Sequence, residues 1–581
     1  MTRLRSFLSG FAFIASASGL ASTTYAEDKV CFYEHSEYEG AEWCYGTGDN
    51  GWIGSSRNDK VSSIKLYGDA YATIYEHGNY GGKKTVVMGN TYRMDDLNDG
   101  ISSFKVRTRN TDNFACLFEH PGFRGTPFCL EEGQFSSDLN DYTLGRNEAS
   151  SVMVVGKADV YVYEYSNHRT DRNWRILTRS TSNLEERPGS WVEDNIDSVR
   201  VLARSASAGE KALDINEAIT AKAPIRQTTV LGSHNAFNST AYFSGQLIPG
   251  PNHRRAMIEQ LQLGVRFFEL DVRKGDRQTK VCHATDCGQR ETTLRRMLGE
   301  VDSWLKGADD NDVVFFFLQD DFGGDNSGYQ QLKNDVAWMG DLVYTIDSCR
   351  TVPTSLTFDQ VRESGKRVFF YKSGGSTGCS TASNVMLGSS FERNVGVASI
   401  NVNDNHIKTD RFTRSQECHN NFCHDVVSAD EARTGIENGV NSFGLDMLEE
   451  SDLDSSSGRL NKQLWGIGPE DTYNAYANGR TVSFWEYGDR FMRLDWSGNS
   501  KAYACRLANG DWSRTNAGGV AWNGASACAN EFPGSTYDVP LNAAEARKFR
   551  EALDPGAAVH VNFGVTGGQW KSGLWGVLGS R

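Results

Sequence analysis

The stretch LGSHNAF at residues 231–237 sets an imidazole, His234, beside a carboxamide, Asn235, just after a turn-prone Gly-Ser. Further on, RFFELDVRKG supplies Glu269 and Asp271. Side chains two residues apart on a strand point to the same side. KVCHATDC supplies a second imidazole, His283, and LQDD a polar group of Gln319, Asp320 and Asp321. Two imidazoles suit general base and general acid work near neutral pH. Carboxylates and a carboxamide are hard oxygen donors of the kind calcium takes. Burying them unpaired is costly, and a divalent cation would remove that cost. The chemistry to expect is proton transfer beside a bound metal ion.

Such a set needs a scaffold that gathers several strand ends. After residue 226, short apolar runs alternate with longer helical ones. TTVLG, VRFFELDV, TKVCHA, VVFFFLQD, RVFFYK, SFGLDML and VSFWEY read as strands, and HRRAMIEQLQLG and TTLRRMLGEVDSWLKG as helices. This alternation predicts a parallel α/β barrel of the TIM type over 223–581, with its site at the C-terminal strand ends. The Trp- and Gly-rich C-terminal part, where Cys505 and Cys528 can pair, reads as the end of the barrel with elaborated loops. Lys372 also falls at a strand end and is a candidate for binding a phosphate; Asp446 and Glu486 do so without an assignable role.

The N-terminal part is built differently. CFYEHSEYEGAEWC (31–44), TIYEHGNYGGKKTV (73–86) and CLFEHPGFRGTPFC (116–129) are copies of one unit, and YVYEYSNHRTDRNW (161–174) is a diverged fourth. The units are aromatic-rich, alternating and punctuated by Gly, Asn and Asp, which indicates short antiparallel strands. Each carries an aromatic, a second aromatic and a glycine at fixed offsets: Tyr33/Tyr38/Gly40, Tyr75/Tyr80/Gly82 and Phe118/Phe123/Gly125. In the fourth copy His168 takes the second aromatic place and no glycine follows.

This repeat resembles the Greek-key motif of the βγ-crystallin family. The resemblance implies two β-sandwich domains, about 27–108 and 112–204, with Cys31–Cys44 and Cys116–Cys129 stapling neighbouring strands. Microbial members bind calcium through an N/D-N/D-x-x-S/T-S segment. NDKVSS and NDGISS fit it, implying calcium ligands among Asn58, Asp59, Ser62, Ser63, Asn98, Asp99, Ser102 and Ser103. RNEASS (146–151) and EDNIDS (193–198) fit poorly, so few or no sites are expected in the second domain.

GSHN, then GVRFFELDVRKG, then VCH resembles the X region of phosphatidylinositol-specific phospholipase C. By that resemblance His234 contacts the phosphoryl group and helps activate the attacking inositol hydroxyl, while His283 protonates the leaving diacylglycerol oxygen. The His-Asn and Glu-x-Asp forms resemble the calcium-dependent branch. They make Asn235, Glu269 and Asp271 the metal ligands, with Asp320 preferred over Gln319 and Asp321 as the fourth. FFELDVRKGDRQTKVCHATD is also similar to glycerophosphodiester phosphodiesterases, and sphingomyelinase D relatives share the barrel. A non-catalytic extracellular calcium-binding protein is the reading from a different class.

The remaining features set bounds. A chain of 581 residues is too long for one core. Residues 1–26, with Arg3 and Arg5 before a short apolar run ending at Ala26, read as a signal peptide, and 205–222 as a linker carrying a short helix. No run is long enough to span a bilayer. All 12 cysteines follow Ala26, with Cys31/Cys44, Cys116/Cys129, Cys282/Cys287 and Cys418/Cys423 closely spaced, so disulfides and a secreted or periplasmic protein are expected. A net charge of −14 argues against nucleic-acid binding. The expected partner is a phospholipid at a membrane surface, acted on by a monomer.

Overall fold

The computed structural model describes residues 27–185, 192–243, 251–283, 287–288, 292–308, 312–345, 353, 355–372, 412–414, 428–440, 442–487, 490–554 and 556–578. The expected signal peptide, and Cys418 with Cys423, lie outside them.

The N-terminal part forms two β-sandwiches. In the first, strands Lys29–His35, Glu39–Gly46 and Ser63–Tyr67 make one sheet, and Gly48–Asn50, Ser103–Thr108, Ala70–His77 and Gly81–Val87 the other. The second repeats this with a three-stranded and a four-stranded sheet. Alternating apolar residues such as Phe32, Ile64, Ile74 and Phe104 fill the first sandwich, and Leu117, Phe128, Val160 and Val199 the second. Cys31 faces Cys44, and Cys116 faces Cys129, across hairpin pairs, and both pairs are disulfide-bonded.

The repeated aromatics pack as the motif requires. Ring centroids stand 5.8 Å apart in Tyr33–Tyr38, 5.4 Å in Tyr75–Tyr80 and 5.8 Å in Phe118–Phe123, all edge-to-face. His168 substitutes on the same terms, 5.3 Å from Tyr163. Gly40 shows why the motif wants glycine: its φ is +79°, and a Cβ there would stand 2.9 Å from the His35 ring.

Beyond the sandwiches, strands are numbered β1 Gly232–Ser233, β2 Phe267–Arg273, β3 Lys280–Val281, β4 Thr292–Thr293, β5 Val314–Asp320, β6 Val368–Lys372, β7 Phe412–Arg414 and β8 Ser442–Leu445. Six run parallel in the order β6-β5-β2-β1-β8-β7. They alternate with helices α1 Ala208–Thr220, α2 Met257–Gln262, α3 Leu294–Leu305 and α4 Asn326–Ala337. One face packs under these helices through Phe268, Phe316, Leu318 and Phe370, the other encloses Phe267, Phe315, Phe317 and Phe369. Each such fully buried aromatic is worth about 1.5–3 kcal/mol in transfer free energy.

Six parallel strands are present among the described residues, and these do not by themselves close an eight-stranded barrel. Two strand expectations are corrected here. TKVCHA is not a parallel strand: β3 is two residues long and runs antiparallel to β2 and β4. VSFWEY, in strand Arg480–Tyr487, joins a separate seven-stranded sheet with the C-terminal strands, one of which, Ala502–Arg506, is tied by Cys505–Cys528 to the helix Gly524–Glu531. The stretch expected as a linker contains α1, which has a Ser207/Glu210 capping box and buries Ala212, Leu213, Ile215 and Ile219. Its Asn216 side chain holds Gly466 N and Ile467 O at 2.8 Å, so this segment is part of the fold.

Candidate active site

The polar residues gather where the parallel strands end. β1 pairs with β2 and β8, so its last residues lead directly to His234 and Asn235 between Glu269 and Asp446. His234 is buried, and its Nδ1 donates to Asp446 Oδ1 at 3.0 Å. Its Nε2 accepts from the Asn235 amide at 3.1 Å. A proton on Nδ1, facing the Asp446 carboxylate, leaves Nε2 as the basic nitrogen. Asp446 also accepts from Asn252 Nδ2 at 3.1 Å. Behind the site, His253 donates to the His234 carbonyl at 2.7 Å, and burial pushes its imidazole down to about 4, so it serves as a neutral prop.

Asn235 has φ of +46°, a left-handed conformation that Asn tolerates better than most residues. That turn lets its backbone N–H donate to Glu269 Oε2 at 2.8 Å. Glu269 is 1 % exposed and also accepts from Gln319. The Asn235 Oδ1 atom is buried with no hydrogen-bond partner. An orphaned amide oxygen beside a buried carboxylate fits a hard cation that would take both. Asp271 lies one strand step further along the same face.

The strand register decides the fourth candidate. Asp271 faces Gln319 across β2 and β5, and Val272 faces Asp320. Alternation therefore puts Gln319 on the Glu269 face and Asp320 on the opposite one. There Asp320 accepts from Tyr329 of α4 at 2.6 Å, and Asp321 pairs with Arg273. The structure brings Asn235, Glu269 and Gln319 together and turns Asp320 away. Among the described residues, three His, Cys, Asp or Glu side chains converge at ligand distance only at Cys31, Glu42 and Cys44, whose cysteines are disulfide-bonded. The fit at the strand ends thus rests on amide as well as carboxylate oxygens.

His283 follows β3 and is exposed, on the loop closed by Cys282–Cys287. Cys282 N donates to the Asp271 carbonyl at 3.0 Å, which ties the loop to the Glu269/Asp271 strand. Lys372 ends β6 opposite Leu318, and its side chain, like that of Glu486, lies outside the described residues. Asp446 is a partner to which the sequence assigns no role, and Asn252 is one that it does not single out. The signal for Asp446 was present, a carboxylate ending an apolar strand, but nothing local pairs it with His234.

In the first sandwich, Ser62 Oγ lies 3.0 Å from the Glu34 carbonyl and 3.3 Å from Asp99 Oδ1, so the two repeats share one oxygen cluster. Asn58 Oδ1 is buried without a partner, while Asn58 Nδ2 and Asn98 Nδ2 reach Asp59 and Asp99. Asp59 and Asp99 both hold left-handed φ. Ser102 sits at the position equivalent to Ser62, its N–H on the Tyr75 carbonyl at 3.0 Å. Ser63 and Ser103 do other work: each hydroxyl bridges a folded hairpin, donating at 2.6 Å to His35 O and His77 O. The second sandwich has its own crossing pair, Ser150 Oγ to Asp194 Oδ1 at 3.1 Å, which the weak motif match did not foretell.

Comparison with known proteins supports both resemblances. The family model PI-PLC X matches residues 224–376, and Beta/Gamma crystallin matches 71–155. Peptidase inhibitor family I36 matches 26–88. Development-specific protein S of Myxococcus xanthus is 29% identical over 104 residues, 18% of this chain and 60% of its own, so the chain spans less than two thirds of that relative. An uncharacterized protein of Mycobacterium tuberculosis is 23% identical over 410 residues, covering 61% of this chain and 77% of that one. A βγ-crystallin domain structure from Flavobacterium johnsoniae is 25% identical, covers 14% of this chain and 97% of its own, and has a TM-score of 0.14.

Proposed function

We propose that this protein is an exported, calcium-dependent phosphodiesterase of the phosphatidylinositol-specific phospholipase C type, its strands and helices forming part of an α/β barrel. The observation that carries this reading is the buried His234–Asp446 pair beside Asn235 and Glu269. It lies at the strand ends, and the matched PI-PLC X segment contains His234, Asn235 and Glu269.

The roles follow from the chemistry. His234 Nε2 takes the proton of the attacking inositol hydroxyl, and Asp446 steadies the imidazolium that results. His283 gives a proton to the leaving diacylglycerol oxygen. Asn235, Glu269 and Asp271 would hold the metal, with Gln319 steadying Glu269 and Asp320 outside the set. Bound calcium would supply charge stabilisation to a phosphate oxygen. In the first sandwich, Glu34 O, Ser62 and Asp99 would hold a second kind of calcium ion, whose effect would be on stability. The substrate sits in a membrane, and among the described residues no helix is long and apolar enough to cross one. Four disulfides among the described residues accord with export.

The test is release of water-soluble phosphate ester from phosphatidylinositol vesicles, with calcium and then with excess chelator. Calcium-dependent release that disappears in His283→Ala is the expected result. Release that survives the chelator would remove the metal assignment. No release from folded protein would turn the search to glycerophosphodiesters and sphingomyelin.

A further inference from the structure

The first sandwich is docked on the ribbon that carries His283. Its hairpin turn, Glu37–Tyr38, holds two consecutive left-handed φ values of 62° and 61°, so it presents a stiff edge. Gln278, which is 4 % exposed, donates its amide to the Glu37 carbonyl at 2.7 Å. Arg277 pairs with Glu39 at 3.3 Å. Arg295 of α3 donates to the Tyr38 carbonyl at 3.2 Å and pairs with Asp335 at 2.7 Å. Asp335 in turn accepts from Thr279 N at 2.7 Å. The Tyr38 ring stacks on Trp338, centroids 4.9 Å apart, and the buried Lys65 Nζ lies 3.5 Å over the same indole.

The ribbon held this way is weak by itself. β3 has two residues and pairs in register with β2 and β4 at only two positions each. A strand that short does not hold a loop in place without support. Gln278 and Thr279 lead straight into β3, and β3 leads to Cys282 and His283. One side of this entry is anchored on α4 through Asp335, the other on the sandwich through Glu37.

We propose that the first sandwich is a positioning module for His283, acting through Gln278, so that the N-terminal domain belongs to the catalytic apparatus of the same chain. The inference rests on the assignment of His283 as the acid. Gln278 is a positioning residue. When it is lost, the ribbon gains freedom and the imidazole is misplaced relative to the leaving oxygen, and about 1 Å of misplacement can cost up to about 10²-fold. Substrate contacts made elsewhere are untouched.

The experiment uses the full chain and two substrates: phosphatidylinositol, whose alkoxide needs a proton on leaving, and the p-nitrophenyl ester of inositol phosphate, whose phenolate does not. In Gln278→Glu, which keeps the shape but removes the donor, kcat on phosphatidylinositol is expected to fall about 10-fold with KM nearly unchanged. The p-nitrophenyl ester should lose under about twofold, and His283→Ala should show the same selectivity more deeply. Equal losses on both substrates, or none, would overturn the positioning role. If His283→Ala fails to discriminate, the acid assignment falls and this inference with it. If it discriminates while Gln278→Glu does not, only the brace is lost. Should Gln278→Glu not fold, Arg277→Ala at the exposed rim gives the same reading with a smaller selective loss, and equal loss or none there overturns the proposal too.

Discussion

At Asp446 a buried carboxylate meets an imidazole that must keep its proton on one nitrogen. Asp446→Asn leaves the shape but can offer its amide N–H to Nδ1, which favours the wrong tautomer. We expect kcat to fall by about 10²-fold or more with little change in thermal stability. The acidic limb of the pH–rate profile should move, since the partner of the imidazolium is gone. A different residue governs stability. Glu300 is buried in α3, accepts from Tyr242 and Ile258 N, and burial raises its carboxyl to about 7. Its folded pKa is above its unfolded value, so the folded state binds the extra proton, and stability falls as pH rises from about 4.5 to 7. Glu300→Gln should therefore melt higher than wild type at pH 8, with the advantage closing towards pH 5. A constant difference across that range would show that the carboxyl titrates normally.

At the level of elements, the alternation of β5 makes a sharp distinction between neighbours. Gln319 and Asp320 are adjacent, yet one faces Glu269 and the other α4. Glu269→Gln should cost calcium-dependent turnover by more than about 10²-fold, because it removes the buried charge that the cation would answer. Asp320→Asn should cost under about threefold in turnover and instead lower the melting temperature slightly, through the Tyr329 contact. Calcium titration of turnover in both variants checks this. An Asp320 variant as impaired as Glu269→Gln would place the carboxylate back in the metal set.

For the whole molecule, the sandwiches and the parallel sheet share a continuous apolar interface in which Met88, Phe114, Phe118 and Met153 join the core of the helical face. On the proposed reading, cation binding to the Glu34/Ser62/Asp99 cluster would therefore couple to more than one domain. A ligand that binds only the folded state stabilises by about 2.7 kcal/mol at a hundredfold excess over its dissociation constant. Calcium should raise the melting temperature by several degrees. Asp99→Ala should remove much of that rise while sparing the metal dependence of catalysis, measured by calorimetry and vesicle assay respectively. Loss of both together would mean that the two sites are not separable.

Whatever repeats or lies close along the chain was legible from the order of the residues. Aromatic, aromatic and glycine at fixed offsets define a hairpin because the packing they make is local, and Cys31–Cys44 and Cys116–Cys129 follow from the same hairpins. His234-Asn235 and Glu269-x-Asp271 were legible because neighbouring residues carry the chemistry. Long-range pairing was settled by the folded molecule. Asp446 meets His234 because β8 lies beside β1, which no spacing in the chain encodes. Gln319 replaces Asp320 because register, set by packing on both faces of β5, cannot be read to one residue from composition. TKVCHA reads as a barrel strand by its apolar run, but its neighbours are antiparallel, and only Lys280 and Val281 pair with them. VSFWEY is as apolar as any barrel strand, and hydrogen bonding to Val559–Thr566 and Arg490–Trp496 assigned it to another sheet. Apolar character sets what a segment buries, and the partner that buries it is chosen by the rest of the molecule.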